Sequence, residues 1–306
     1  MISNLTPSAE AFLANIQRVQ RNMEQANRQV TSGRRVNVAS DAPDEVDAIL
    51  QLRADQTRNS QIQSNLALAK TDADAADSAL AAASKIMDRA RALGAQAANF
   101  TLDATGRQSI ADEIQSLQEQ MLSISRTTVQ GRYIFSGDQD GGPMYDLDLT
   151  SPAGVMMLNN SAATRRVEDP AGGSFAVTRS AADIFDVRNA DQTTAPANVF
   201  AALNNLRLAL AANDTAQINT ALGGIQAAAD HLNTSEAFYG SVQSRIQDAM
   251  SYGSSYDVQL KTQLSEKEDA DVTAAAMALT QGSTQLQAGF QMQAKMPRTS
   301  LFDYIG

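Results

Sequence analysis

The sequence predicts a mainly α fold: a long antiparallel coiled-coil helical rod formed by the N- and C-terminal halves, with a small β-rich inserted domain. Three observations predict it. Near both ends, apolar residues recur at alternating spacings of four and three, which marks a narrow helical seam. An alanine-rich ladder in the first half runs much longer than an ordinary globular helix. Mid-chain, Gly, Pro and turn residues cluster around short β-like runs.

Composition sets the bounds. The 306 residues suffice for one large domain or two to three modest ones. Aromatic residues make up only 5% and Trp is absent, which favours helices with small side chains at their contacts over a bulky core. Lys and Arg number 24 against 34 acidic residues, and the resulting net charge of −10 argues against a nucleic-acid partner. With no cysteine, disulfides, thiolate catalysis and Cys-ligated metals are excluded, while the compartment stays open. No segment approaches the roughly 18–20 apolar residues of a membrane span, so no membrane partner is expected. The opening "MISNLTPSAEAFLANIQ" lacks a basic region followed by an apolar core, so a cleaved Sec-type signal is not expected either. A cytoplasmic protein and one exported without a cleaved signal both fit.

The first helix carries Leu5, Ala9, Phe12, Ile16, Val19, Met23, Ala26 and Val30 as a heptad seam, started by Thr6-Pro7. "SGRRVNVASDAP" (32–43) interrupts the helices as a hinge: Gly33 releases the first helix, Arg34 and Arg35 follow, and Asp41 with Pro43 starts the second. Ile62, Leu66, Ala69, Ala73, Ala76, Leu80, Ala83, Met87 and Ala90 then mark a helix over about 43–98, roughly 80 Å long at 1.5 Å per residue. A third begins at Thr105, whose spacing to Gln108 fits a capping box, and continues through Ile110, Ile114, Leu117, Met121 and Ile124.

Residues 138–194 read as the β-rich insertion, with strands expected at 155–158, 165–168 and 174–179. Helical periodicity returns with Val199, Leu203, Leu206 and Leu210, stops at Asn213-Asp214, and resumes from Ile218 through Leu232 toward Leu260. Ser265 to Glu268 has capping-box spacing and opens the last seam: Val272, Ala276, Leu279, Ser283, Leu286 and Phe290. Five segments follow: terminal helices at 1–40 and 265–306, rod helices at 41–137 and 195–264, and the insertion between. Both termini must come back together. Each large seam residue contributes about 1.5–3 kcal/mol on burial. Ordering each residue costs about 1–2 kcal/mol in backbone entropy. Narrow terminal stripes are therefore marginal alone and should order fully against sister subunits, which predicts a homo-oligomer.

Candidate chemistry is sparse. His231 is the sole histidine and reads as a passive helical residue. Asp138, Asp140, Asp146 and Asp148 superficially match a calcium loop but lack its closing Glu, so an acidic turn is expected. The Gly pairs in "LGGIQ" and "AGG" lack a phosphate-loop Lys-Ser/Thr. No cofactor, metal or catalytic residue is expected. Met87, Met121, Met250 and Met277 read as core. Arg18, Arg21, Arg28, Arg34 and Arg35 form either a solvated face or a contact across subunits with Glu266, Glu268, Asp269 and Asp271.

"QVTSGRRVNVASDAPDEVDAILQLRA" (29–54) resembles the N-terminal signature of the flagellin family, and "GRYIFSGDQDGGPMYD" (131–146) and the closing "TSLFDYIG" (299–306) resemble segments of its hook-associated members. The resemblance departs at Ala42, where the family often has a second acid, and at Ile305-Gly306. It implies a structural, non-enzymatic subunit of the bacterial flagellum, exported without a cleaved signal and working outside the cell at the hook–filament junction. Its implied partners are other copies in a ring, flagellin, a hook-side hook-associated protein, and an export chaperone at the C-terminal helix. The implied assembly interface is Leu5, Phe12, Ile16, Val19, Met23, Val30, Val272, Leu279, Leu286, Phe290, Leu301, Phe302, Tyr304 and Ile305, with Gly33, Arg34, Arg35, Asp41 and Pro43 as the hinge. A filament subunit, or a non-flagellar coiled-coil adaptor or secretion tip protein, are the alternatives.

Overall fold

The computed structural model describes residues 7–99, 102–159 and 164–295. Tertiary contacts divide the chain into a first unit, residues 1–58 with 256–306, and a second unit, residues 59–255.

In the first unit, helix α1 (Pro7–Ser32) runs antiparallel to the last helix, α7 (Val272–Lys295). The start of α2 (Val46–Ala97) and the end of α6 (Thr215–Glu268) complete the unit. Gly33 ends α1 as expected: its φ of +70° is a conformation L side chains avoid, and its N–H donates to Gln29 O at 2.9 Å. The expected capping box at Ser265–Glu268 is not one. Ser265 lies inside α6, where its carbonyl accepts from Asp269 N at 2.9 Å, and a helical backbone cannot serve as an N-cap. Asp271 caps α7 instead, accepting from Ala274 N at 2.9 Å.

The second unit is built on the alanine ladder of α2. Leu66, Ala69, Ala73, Ala76, Leu80, Ala83, Met87 and Ala90 are all buried, as the spacing predicted. Helix α3 (Ala104–Ser125) packs on α5 (Val199–Ala211). Asp103 caps α3, accepting from Gly106 N at 2.8 Å; Thr105 is already helical, because aspartate is the stronger cap and comes first in the chain. The break at 213–214 is present: Asn213 has φ +52°, and Asp214 receives Ala216 N at 2.9 Å and Gln217 N at 3.1 Å as α6 begins.

Three antiparallel hairpins follow α3, the first of them ahead of residue 138, inside the 41–137 segment expected to be rod helix. These are β1 (Thr128–Val129) with β2 (Arg132–Tyr133), β3 (Tyr145–Leu147) with β4 (Val155–Met157), and β5 (Arg166–Glu168) with β6 (Ser174–Ala176). A short helix α4 (Ala181–Ile184) follows. The expected strands fall on β4, β5 and β6, but the last stops at Ala176. The first three strands were not among the expected ones. Gln130 and Gly131, both at positive φ, make the tight turn of the first hairpin. The few aromatics are concentrated here. Phe135 meets Phe185 edge-on at 5.7 Å and Tyr239 at 6.5 Å, and Phe200 lies 5.8 Å from Phe185 and 5.4 Å from Tyr145. Buried Asp72 of α2 accepts from Arg165 at 3.0 Å and Arg132 at 3.4 Å, fastening the insertion to the ladder helix.

Candidate assembly interface

The seam of α1 is as its spacing predicted: Ala26 is buried, and Phe12, Ile16, Val19, Met23 and Val30 are half-buried. On the facing seam of α7, every second position falls one residue before the expected one. A Cβ on Gly282 would meet Met23 Cγ at 2.5 Å, and one on Gly289 would lie 3.5 Å from Ile16 Cδ1 and 3.6 Å from Phe12 Cε2. The α7 seam is therefore Ala275, Leu279, Gly282, Leu286 and Gly289, which keeps two expected residues, Leu279 and Leu286. Small residues admit the long α1 side chains, and Ala275, Gly282 and Gly289 stand where Ala276, Ser283 and Phe290 were expected. Val272 and Phe290, expected on the seam, are 46% and 56% exposed, and Met277, expected in the core, is 63% exposed. With Met292 at 71% exposure, they leave α7 with apolar surface outside the α1 contact. A shallow groove along this helix is lined by Val272, Ala276, Met277, Thr280 and Thr284. Leu5, Leu301, Phe302, Tyr304 and Ile305 lie outside the described residues. The glycines at 282 and 289 were a missed signal: each costs about 1 kcal/mol relative to alanine in a helix, and a seven-residue repeat of them in phase with Ala275 marks a close helix contact.

At the hinge, the arginines find acids of the same chain. Glu268 is buried at 3% exposure, and its Oε1 accepts from Arg34 Nε at 2.7 Å and Arg53 Nη2 at 2.6 Å. Its carbonyl accepts Arg35 N at 2.6 Å, and Ala270 N donates to Gly33 O at 2.9 Å. The Arg35 guanidinium donates to Glu45 at 2.5 Å and to Lys267 O at 2.6 Å. Arg34 and Glu268 thus pair within the one chain. Arg18, Arg21 and Arg28 are exposed on the single chain. Pro43 is not the first helical residue; it lies exposed in the turn before α2.

Asp41 organises that turn. Its carboxylate accepts from Val38 N at 3.0 Å and Asn37 N at 2.9 Å, and these bonds hold it below the ordinary carboxylate range. A lowered folded-state pKa means that the contribution is full above the unfolded value, about pH 4. It is lost as pH falls through the folded value. Asp41→Asn should accelerate exchange of the Asn37 and Val38 amides at neutral pH, and the difference from the parent should vanish in acid; amide exchange followed against pH checks it.

The remaining candidates have ordinary roles. His231 Nε2 donates to Asp183 O at 2.8 Å. Asp140 pairs with Arg165, Asp146 with Arg126 at 2.6 Å, and Asp148 binds the Thr150 hydroxyl and, at 3.0 Å, its N–H. Among the described residues no group of three or more His, Cys, Asp or Glu is placed to hold a metal, and no helix is long and apolar enough to cross a membrane.

Comparison with known proteins finds two family models on this chain: the bacterial flagellin N-terminal helical region on residues 2–140 and the bacterial flagellin C-terminal helical region on residues 222–305. Flagellar hook-associated protein 3 of Escherichia coli is 26% identical over 291 residues, covering 90% of each chain. Among solved structures, Bacillus cereus FlgL matches with a TM-score of 0.56 at 21% identity, covering 72% of this chain and all of that one. The flagellar junction protein FlgL from Legionella pneumophila matches with a TM-score of 0.56 at 13% identity, covering 66% of this chain and 99% of that one. At these identities the structural likenesses establish a shared fold.

Proposed function

The chain belongs to the flagellin family, and we propose that within it this chain is the junction subunit that joins the flagellar hook to the flagellin filament. The observation that carries the reading is the end-to-end similarity to hook-associated protein 3, which extends over 90% of both chains and so beyond the helical ends common to the family. The role is structural. Copies assemble as a ring through their terminal helices, with flagellin on one side of the ring and a hook-side hook-associated protein on the other. The exposed Val272, Met277, Phe290 and Met292 support this, since each large side chain buried in a subunit contact contributes about 1.5–3 kcal/mol. Before assembly an export chaperone covers the C-terminal helix, and the subunit leaves the cell without a cleaved signal.

Deletion of the gene followed by electron microscopy tests the reading. Intact hooks without filaments, and flagellin released to the medium, are expected. Complementation with a Met277→Glu/Phe290→Glu variant should restore export of the subunit but not filament attachment. Filaments still attached in the deletion strain would refute a junction role.

A further inference from the structure

The seam between α1 and α7 nearly repeats itself. On α7, Leu279-Gly282 is followed seven residues later by Leu286-Gly289; on α1, Phe12-Ile16 is followed by Val19-Met23. Gly282 receives Met23 and Val19, and Gly289 receives Ile16 and Phe12, so each step of the seam is a small residue beneath two large apolar ones. Sliding α1 by one heptad, about 10 Å, would place Met23 and Val19 over Gly289 and Val30 with the smaller Ala26 over Gly282, so large apolar residues would still cover both glycines although Phe12 and Ile16 would leave them. Such a seam stabilises pairing but discriminates poorly between registers. The connection between α1 and α2, residues 33–45, would not prevent the slide either, because thirteen extended residues span about 40 Å.

The connections are tied to one another, however, at a single buried carboxylate. Glu268 holds Arg34 at 2.7 Å and Arg53 at 2.6 Å, and beside it Arg35 N meets Glu268 O at 2.6 Å and Ala270 N meets Gly33 O at 2.9 Å. Any axial slide of α1 pulls Arg34 away from Glu268 and leaves a buried charge short of a partner. Buried ion pairs are weak sources of net stability, and setting register is among their best-attested uses. We propose that the Glu268 cluster is a register pin: it selects one of two competing alignments of the terminal helices, while the seam supplies the attraction. The proposal concerns packing within one subunit and does not depend on where the protein works.

The natural chain has no cysteine, so paired substitutions report cleanly. Full-length protein carrying Met23→Cys with Gly282→Cys reports the native register, and Met23→Cys with Gly289→Cys reports the slipped one. In the otherwise natural chain, mild oxidation should give an intramolecular disulfide in the first pair and only background in the second. Adding Glu268→Ala should raise the slipped disulfide about tenfold while the native one persists. Arg34→Ala with Arg53→Ala, which removes the cations and keeps the acid, should do the same. Three results would overturn the pin: both pairs reacting without any change at the cluster, only the native pair reacting in both cluster variants, or loss of both disulfides in those variants. The last would mean that the cluster holds the helices together and does not choose their alignment.

Discussion

Phe135→Ala is expected to lower the unfolding free energy of the second unit by about 3–5 kcal/mol. Phe135 is fully buried at the centre of the aromatic cluster, edge-on to Phe185 and Tyr239, with Ala181 N donating to its carbonyl at 2.7 Å. Truncation leaves a cavity in the packed core, and it removes two ring contacts worth about 0.5–1.5 kcal/mol each beyond area burial. Urea titration followed by tyrosine fluorescence measures it. The midpoint should fall with an unchanged slope, since the surface exposed on unfolding is the same. A shift no larger than that of an exposed control, Leu208→Ala, would show that the cluster is not the keystone of this unit.

Gly154→Ala is expected to cost about 2–5 kcal/mol, a large effect for one added methyl group. Gly154 has φ +71°, and a Cβ there would lie 1.9 Å from Gln118 Nε2 and 3.1 Å from Asn204 Cβ. Gln118 is fully buried and donates to Ala153 O at 3.4 Å, so displacing it strands a buried amide. Backbone strain and the lost partner add together. The same substitution at Gly141, where a Cβ meets nothing, should stay within about 0.5 kcal/mol. Equal midpoints for the two variants would refute the argument.

The long helices were legible because periodicity accumulates over length. All nine ladder positions on α2 are buried where spacing placed them, and the breaks at Gly33 and Asn213 were marked by residues that suit positive φ. Local competition was less legible. Thr105 and Ser265 have the right neighbours for caps, yet Asp103 precedes one and an unbroken helix runs through the other. The seam that α1 turns to α7 was legible because it is large and apolar. On α7 the contact runs over glycines, which have no hydrophobic signal at all, and the visible apolar residues Val272, Met277 and Phe290 lie outside it. The pairing of Arg34 and Arg53 with Glu268 joins residues more than two hundred positions apart, which a single sequence cannot announce.

The methyl-lined spine of α2 has a thermodynamic corollary. Ala69, Ala73, Ala76, Ala83 and Ala90 conceal little hydrocarbon per residue, so melting this helix wets little of it. Because the heat capacity increment of denaturation scales with newly hydrated apolar area, the free-energy parabola of the ladder region should be shallow. Such a segment loses little on chilling, a useful property for a part that must hold its form across whatever temperatures its surroundings impose.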